Sequence, residues 1–337
     1  MRTGIVTGVI VAVIAAILFA SAGDRDGPAP FVILGITNGA IFGLVALGLV
    51  LVYKGTRVFN FAQAEFGTCA AFFTLLALGQ SRFGGPKLPY WGAVLFALAA
   101  ALLLGLLFER VVARPLLNAP RVTVLVATIA TALLLIGLQI VFFEIDQYSL
   151  RGLFLGDDAG ILSTKEIFNL QVTPQRQLAI VVLLAFGALL AYFFSRTDLG
   201  LAVLATSQDA FATRVVGIGV ERMSRFIWGG ATLLGAIAAI IYVPIAGLLV
   251  PGVMTSNILI PSFTGAVVGG MNSLPGAFLG GITIGVVQTV ATWAVGHYHI
   301  GEQAIVEVVP ASEQISILLV LLVILLARPA GLLGTEA

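Results

Sequence analysis

The 337-residue chain is 59% hydrophobic and only 10% charged, against roughly 25% charged residues in a soluble globular domain. So few charges cannot cover a water-facing surface, whereas a bilayer-embedded protein presents Leu, Val, Ile and Phe to lipid. Its 17 basic and 16 acidic residues nearly balance, which leaves no electrostatic footprint for nucleic acid.

A membrane-crossing helix needs about 20 mostly apolar residues to span ~30 Å of hydrocarbon. Ten stretches approach that length: roughly 4–22, 31–53, 61–79, 91–108, 122–143, 178–194, 226–250, 258–273, 275–296 and 314–327. They lack period-two alternation and are longer than the roughly ten residues of a barrel strand. The expected fold is all-α, a polytopic transmembrane helical bundle of about ten membrane segments, with one broken pair over 258–296. Residues 1–27 form an extra hydrophobic segment, and 28–337 form one transmembrane domain with a cytoplasmic loop at 195–225. Arg2, a long apolar run and Ala20-Ser21-Ala22 also fit a secretory signal with a small-residue cleavage site. The run exceeds the ~7–15 residues of a signal core, which favours an uncleaved helix.

Basic residues near a span are retained in the cytoplasm. Placing Arg2 inside puts eleven of the 17 basic residues there, among them Lys54, Arg57, Arg110, Arg114, Arg121 and Arg225. The other side then receives 144–176 and the segment 297–313, which carries Glu302, Glu307 and Glu313 and no Lys or Arg. Both termini are expected in the cytoplasm. Glycines repeat every fourth residue at Gly35, Gly39 and Gly43, and again at Gly265/Gly269 and Gly276/Gly280, a spacing that lets helix backbones approach.

Catalytic signatures are missing. The sequence has no Gly-Lys pair, so it lacks the phosphate-binding loop of an NTP-hydrolysing motor. Its two histidines, His297 and His299, have no third metal ligand nearby in sequence. No Gly-x-Ser-x-Gly or His-Glu-x-x-His occurs. The single cysteine, Cys69, lies in an apolar run and reads as a small buried filler. A non-enzymatic chain without cofactor or metal is expected.

Residues 195–225 are too polar to span and too patterned to be a linker. Thr206 or Ser207 can cap a short helix with Asp209 in its first turn, and Gly217 can end it. Phe211, Val215 and Ile218 then form an apolar stripe beside Arg214. Such a helix can dock into a groove of a soluble partner or lie on the membrane, and spacing alone leaves both open.

Between the last two glycine pairs, Asn272-Ser273-Leu274-Pro275-Gly276 interrupts an apolar run. Such a break marks either a cavity or gate at membrane depth or a tight turn between helices. Glu65 lies just inside the third segment. An intramembrane carboxylate is a functional candidate, although Lys54 or Arg57 could neutralise it near the cytoplasmic end. Further polar groups able to interrupt an apolar wall are Asn38, Asn60, Gln63, Thr128, Thr131, Asn272 and Ser273. Each can equally make a helix–helix hydrogen bond.

From about residue 31 onward the chain resembles the smaller permease subunits of branched-chain amino-acid ATP-binding-cassette transporters. Five blocks in family order carry the likeness: Gly35–Gly48, Val58–Phe66, Ala205–Gly219, Val267–Gly281 and Arg328–Gly334. The resemblance implies a multi-pass subunit of a bacterial inner membrane. Its implied partners are a second similar permease, two ATPase subunits and an extracytoplasmic solute-binding protein. It also implies that the cytoplasmic loop couples to an ATPase, through Gln208, Asp209, Ala210 and Gly217, with Phe211, Arg214 and Val215 beside them. Branched-chain or other hydrophobic amino acids are the implied cargo, with urea or short amides as the alternative. A stand-alone secondary transporter or channel is the rival class. Two departures stand out: Gln63-Ala64 replaces the His-Gly that commonly precedes the family's glutamate, and the first hydrophobic segment is an addition.

Overall fold

The computed structural model describes residues 27–81, 84–116, 119–150, 152, 164–167, 170–208, 210–297, 299–300, 303–304, 311–327 and 331. The expected segment at 4–22, with its cleavage-like site, lies outside the described residues. The helices, in chain order, are α1 (Ala29–Thr56), α2 (Gln63–Ala77), α3 (Tyr90–Phe108, continued by a π-helical turn Glu109–Ala113) and α4 (Arg121–Phe143). There follow α5 (Pro174–Arg196), α6 (Asp198–Gln208), α7 (Ala210–Val215), α8 (Val220–Ala246), α9 (Ile260–Gly269, led in by a π-helical turn Thr255–Leu259), α10 (Leu274–His297) and α11 (Ser312–Ala327). Two short antiparallel hairpins, Lys165–Ile167 with Leu170–Val172 and His299–Ile300 with Gln303–Ala304, lie in the segments expected to connect spans.

Each expected segment within the described residues coincides with a helix, but not all are long enough to cross. Six are both long and apolar enough: α1, α3 with its π turn, α4, α5, α8 and α10. Helix α2 has 15 residues, about 22 Å at 1.5 Å per residue, and α9 has ten. Continuous hydropathy overstated their length, because apolar residues at 61–62 and 78–79 or 270–271 sit in turns rather than helix.

Exposed surfaces of the outer helices are oily. Leu103 and Leu107 on α3, Val126, Leu133 and Val141 on α4, Leu184 and Leu189 on α5, and Leu318 and Leu322 on α11 are each more than half exposed. Exposed apolar faces of this kind are stable in hydrocarbon and costly in water. The protein is therefore a multi-pass membrane protein.

By contrast, α1 and α8 bury 78% and 72% of their most apolar stretch, as expected of helices hydrophobic all round.

The described residues fall into two compact units, one drawn from those within 1–46, 154–184 and 261–337, the other from those within 47–153 and 185–260. In the first, glycines hold the helices together. The first part of α1 meets α10 through Gly35 and Gly39, where an added Cβ at Gly39 would come within 2.6 Å of the Ile282 Cα. Helices α9 and α10 cross backbone to backbone: a Cβ on Gly265 would lie 2.9 Å from the Gly281 nitrogen, and one on Gly269 would collide with Gly276. Thr289 adds a hydrogen bond from its Oγ1 to the Phe31 carbonyl, 2.7 Å. The break between α9 and α10 is a four-residue turn, with Gly270 at φ 104°, a conformation that side-chain-bearing residues resist.

In the second unit α2 is the centre. Nearly all its residues are buried, and it packs on α3, α4 and α8. Ala70, Ala101 and Ala236, all at 0% exposure, let three helices close up. Gly67 accepts the backbone of α8 so closely that a Cβ there would lie 2.7 Å from the Gly235 carbonyl.

Candidate functional site

The polar residues of the 60–65 stretch converge at the buried start of α2. Asn60, Gln63, Glu65 and Thr128 are all at 0% exposure. The Asn60 Oδ1 accepts the Ala62 N–H at 3.1 Å, a side-chain turn two residues long ahead of the helix. The Asn60 Nδ2 donates to the Gln63 Oε1 at 3.0 Å, and the Gln63 Nε2 donates to the Ala231 carbonyl of α8 at 2.6 Å. Thr128 of α4 accepts the Phe61 N–H at 3.3 Å while its hydroxyl donates to the Leu125 carbonyl at 2.7 Å. Gln63 thus ties α2 to α8, and Thr128 ties the turn before α2 to α4.

Glu65 is held differently from expectation. Its hydrogen-bond partner is Gln139 of α4, whose Nε2 donates to the Glu65 Oε2 at 2.9 Å. The same amide lies 3.3 Å from the Cys69 sulfur, and its Oε1 accepts the Gly252 N–H at 3.1 Å. Lys54 instead lies over the Phe194 ring, 5.2 Å from its centroid, and Arg57 over Tyr53 at 5.9 Å. The correction is geometric: Glu65 faces into the bundle and meets an amide. Thr255 and Thr68 also stand at this carboxylate.

Gln139 escaped the sequence reading. Its signal was an amide in the middle of the apolar run 132–143, where an unpaired polar group is costly.

The other polar candidates lie elsewhere. In the first unit, Asn38 accepts a hydrogen bond from Arg176 at 3.2 Å, and Thr37 accepts another from the same nitrogen at 3.2 Å. Asn272 and Ser273 sit in the turn between α9 and α10, where the Ser273 Oγ accepts the Gly276 N–H at 3.1 Å and caps α10. Thr131 bonds back to the Ala127 carbonyl of its own helix at 2.8 Å.

The 195–225 segment folds into an additional helix, α6, ahead of the short helix that spacing suggested, which is α7. Thr197 accepts the Gly200 N–H at 3.0 Å and starts α6, with Asp198 in its first turn. Thr206 is inside α6, its hydroxyl bonded to the Ala202 carbonyl at 2.8 Å, and so does not cap. The nearer cap won because Thr197 directly follows the end of α5. Gly217, at φ 84°, ends α7. Gln208, Arg214 and Val215 are exposed. Asp209, and the side chains of Ala210 and Phe211, lie outside the described residues. Residues 198–216 are too short to span and carry Val215 and Val216 at 72% and 73% exposure.

This architecture, with its oily exterior faces and buried polar ties, is that of a polytopic membrane protein. The chain belongs to the family described as branched-chain amino acid transport system / permease component, which it matches over residues 31–327. It is similar to the high-affinity branched-chain amino acid transport system permease protein BraD of Pseudomonas aeruginosa, at 28% identity over 89% of this chain and 94% of that protein. It is similar also to the corresponding permease protein LivH of Escherichia coli K12, at 26% identity over 89% and 93% of the two chains. A probable LivH of Methanocaldococcus jannaschii is 28% identical over 87% and 88%.

Proposed function

We propose that the chain is the membrane-spanning permease subunit of an ATP-binding-cassette importer and forms part of the path for branched-chain or other hydrophobic amino acids. Family membership and relatives named for branched-chain amino acid transport support the cargo. The observation that carries the coupling is the element 198–216, two short helices and the residue after them, with exposed Arg214, Val215 and Val216. On the basic side of the bundle this element is a handle for a separate motor, an amphipathic helix fitting a partner's groove. Both termini lie on that side. Two ATPases, a second similar permease and an extracytoplasmic binding protein complete the assembly. Gln208, Asp209, Ala210, Phe211, Arg214, Val215 and Gly217 form the coupling contact.

The shorter apolar helices α2, α9 and α11 also lie at membrane depth. With the hydrophobic segment near residues 4–22 as a further helix, the bundle has about ten membrane segments. Asn60, Gln63, Glu65, Thr128 and Thr131 in one unit, and Asn38, Asn272 and Ser273 in the other, are the polar groups along the path. Packed as they are, Asn60, Gln63 and Glu65 meet a solute only when α2 separates from α4 and α8 in another state of the cycle.

Co-purification tests the coupling. Tagged chain co-expressed with its ATPases should retain them, and Arg214→Glu with Val215→Asp should lose them while leaving the thermal midpoint unchanged. Retention of the ATPases by that double variant would remove the assigned contact.

A further inference from the structure

In the first unit, α5 opens with a cation where helix electrostatics favour an anion. Arg176 is the third residue of α5, whose first turn has no acidic residue, and the amino-terminal end of a helix carries positive partial charge. The side chain is part-buried, and burying a cation without a counter-charge is costly. Among the described residues its partners are two neutral oxygens of α1: its Nη1 donates to the Thr37 Oγ1 and to the Asn38 Oδ1, both at 3.2 Å. The ion pairs among the described residues are those of Arg114 with Glu109 and Glu221, and none reaches Arg176.

Those two contacts decide which edge of the guanidinium remains open. Thr37 donates its own hydroxyl hydrogen to the Leu34 carbonyl at 2.8 Å, so its oxygen serves Arg176 as an acceptor. Both hydrogens of Nη1 are thereby spent on α1. The Nε–H and Nη2 donors, which make up the side-on fork of a guanidinium, have no acceptor among the described residues. They are not sealed off, because the residue keeps part of its surface exposed.

A tie between α5 and α1 uses one nitrogen, which a lysine also has; the fork is what an arginine adds. Asn38 contributes in the same direction. With its Oδ1 on the guanidinium, its Nδ2 remains a further donor beside it, and Asn38 too is part-exposed.

We infer that the open fork of Arg176 receives the carboxylate of the transported amino acid, with Thr37 and Asn38 as positioning residues that hold the other edge. A carboxylate presents two coplanar oxygens to the Nε and Nη2 donors, a bidentate, charge-assisted pair. It also supplies the counter-charge that Arg176 lacks. No described acid stands at the fork to take an ammonium, so recognition is of the carboxylate end. Urea and short amides have no carboxylate, so the same geometry selects amino acids over them. With the basic ends of the bundle inside, Arg176 stands at the external end of α5, where solute arrives. The inference rests on the proposed transport function and that orientation, and does not depend on coupling to ATPases.

The test is arginine labelling of the purified full chain in neutral detergent. Phenylglyoxal modification of Arg176, and of the exposed Arg110 of the second unit, is read by mass spectrometry as ligand is added. Leucine and isovalerate, which share a carboxylate, should give a saturable loss of labelling at Arg176 and none at Arg110. Leucinamide and urea should not protect. No protection by either carboxylate, equal protection by leucinamide, equal protection of Arg110, or protection by phosphatidylglycerol alone would overturn the site. In proteoliposomes holding the complete transporter, Arg176→Gln should lower leucine uptake at least about tenfold. Arg176→Lys keeps the charge and the one-nitrogen tie, so it should hold the thermal midpoint and fall between wild type and Arg176→Gln in uptake. Undiminished uptake in Arg176→Gln would overturn this site alone. Failure of the wild-type complex to take up leucine would instead remove the transport reading, and the labelling result is obtained without that complex.

Discussion

Gln139 joins three parts of the second unit: α2 through Glu65, its own helix α4, and the turn before α9 through the Gly252 N–H. Replacing it by Leu leaves a carboxylate oxygen and an amide N–H buried without partners, and should cost about 1–3 kcal/mol. Glu65→Gln keeps an oxygen able to accept the Gln139 amide, so its change should stay within about 1 kcal/mol. Thermal unfolding of the purified variants measures both. Equal losses would mean that the negative charge, and not the hydrogen bond, is what the site requires. Glycines show the same discrimination by surroundings. An added Cβ at Gly281 meets the backbone of Gly39 and Gly43, whereas one at Gly137 meets nothing within 4 Å. Gly281→Leu should therefore lose about 3 kcal/mol or more through overpacking. Gly137→Leu should be neutral or gain up to about 1 kcal/mol from helix propensity. A tolerated Gly281→Leu would contradict the close crossing of α1 and α10.

At the scale of elements, hydropathy located the helices and misjudged their lengths. The runs at 31–53, 122–143 and 275–296 are legible because an apolar run long enough to cross hydrocarbon must satisfy its own backbone as a helix, and each begins or ends at polar or turn residues. The run at 61–79 yields only α2, 15 residues long, because hydropathy counts apolar residues in turns as if they were helix. The glycine faces were legible as a four-residue spacing, and their partners were not, since spacing on one helix does not say which helix crosses it. Among the site residues, Asn60, Gln63, Glu65 and Thr128 stood out as polar groups in apolar stretches. Gln139 carries the same signature and was passed over, and the link from Glu65 to it is 74 residues long, beyond any local pattern. The helix start at Thr197 was missed because Thr197, Thr206 and Ser207 can each cap, and only the end of α5 decides among them. Dependence of the α6–α7 handle on its glycine is itself testable. Gly217→Val forces a β-branched residue to φ 84° and should destabilise the end of α7 by about 1–2 kcal/mol, seen as faster amide exchange over 210–216. Unchanged exchange there would show that the handle does not rely on the left-handed stop.

For the whole molecule, the oily faces of α3, α4, α5 and α11 place the chain in a bilayer, and the sequence contains no phosphate-binding loop of its own. On the proposed reading, solute movement is driven by separate ATPase subunits. Proteoliposomes provide the most direct measurement: uptake of labelled leucine by the chain reconstituted with its companion permease, ATPases and binding protein, with and without ATP. Uptake that requires both ATP and the binding protein, and that falls to background in the Arg214→Glu/Val215→Asp variant, is the predicted result. Uptake by this chain alone, without ATP, would contradict the account and make it a channel or secondary transporter.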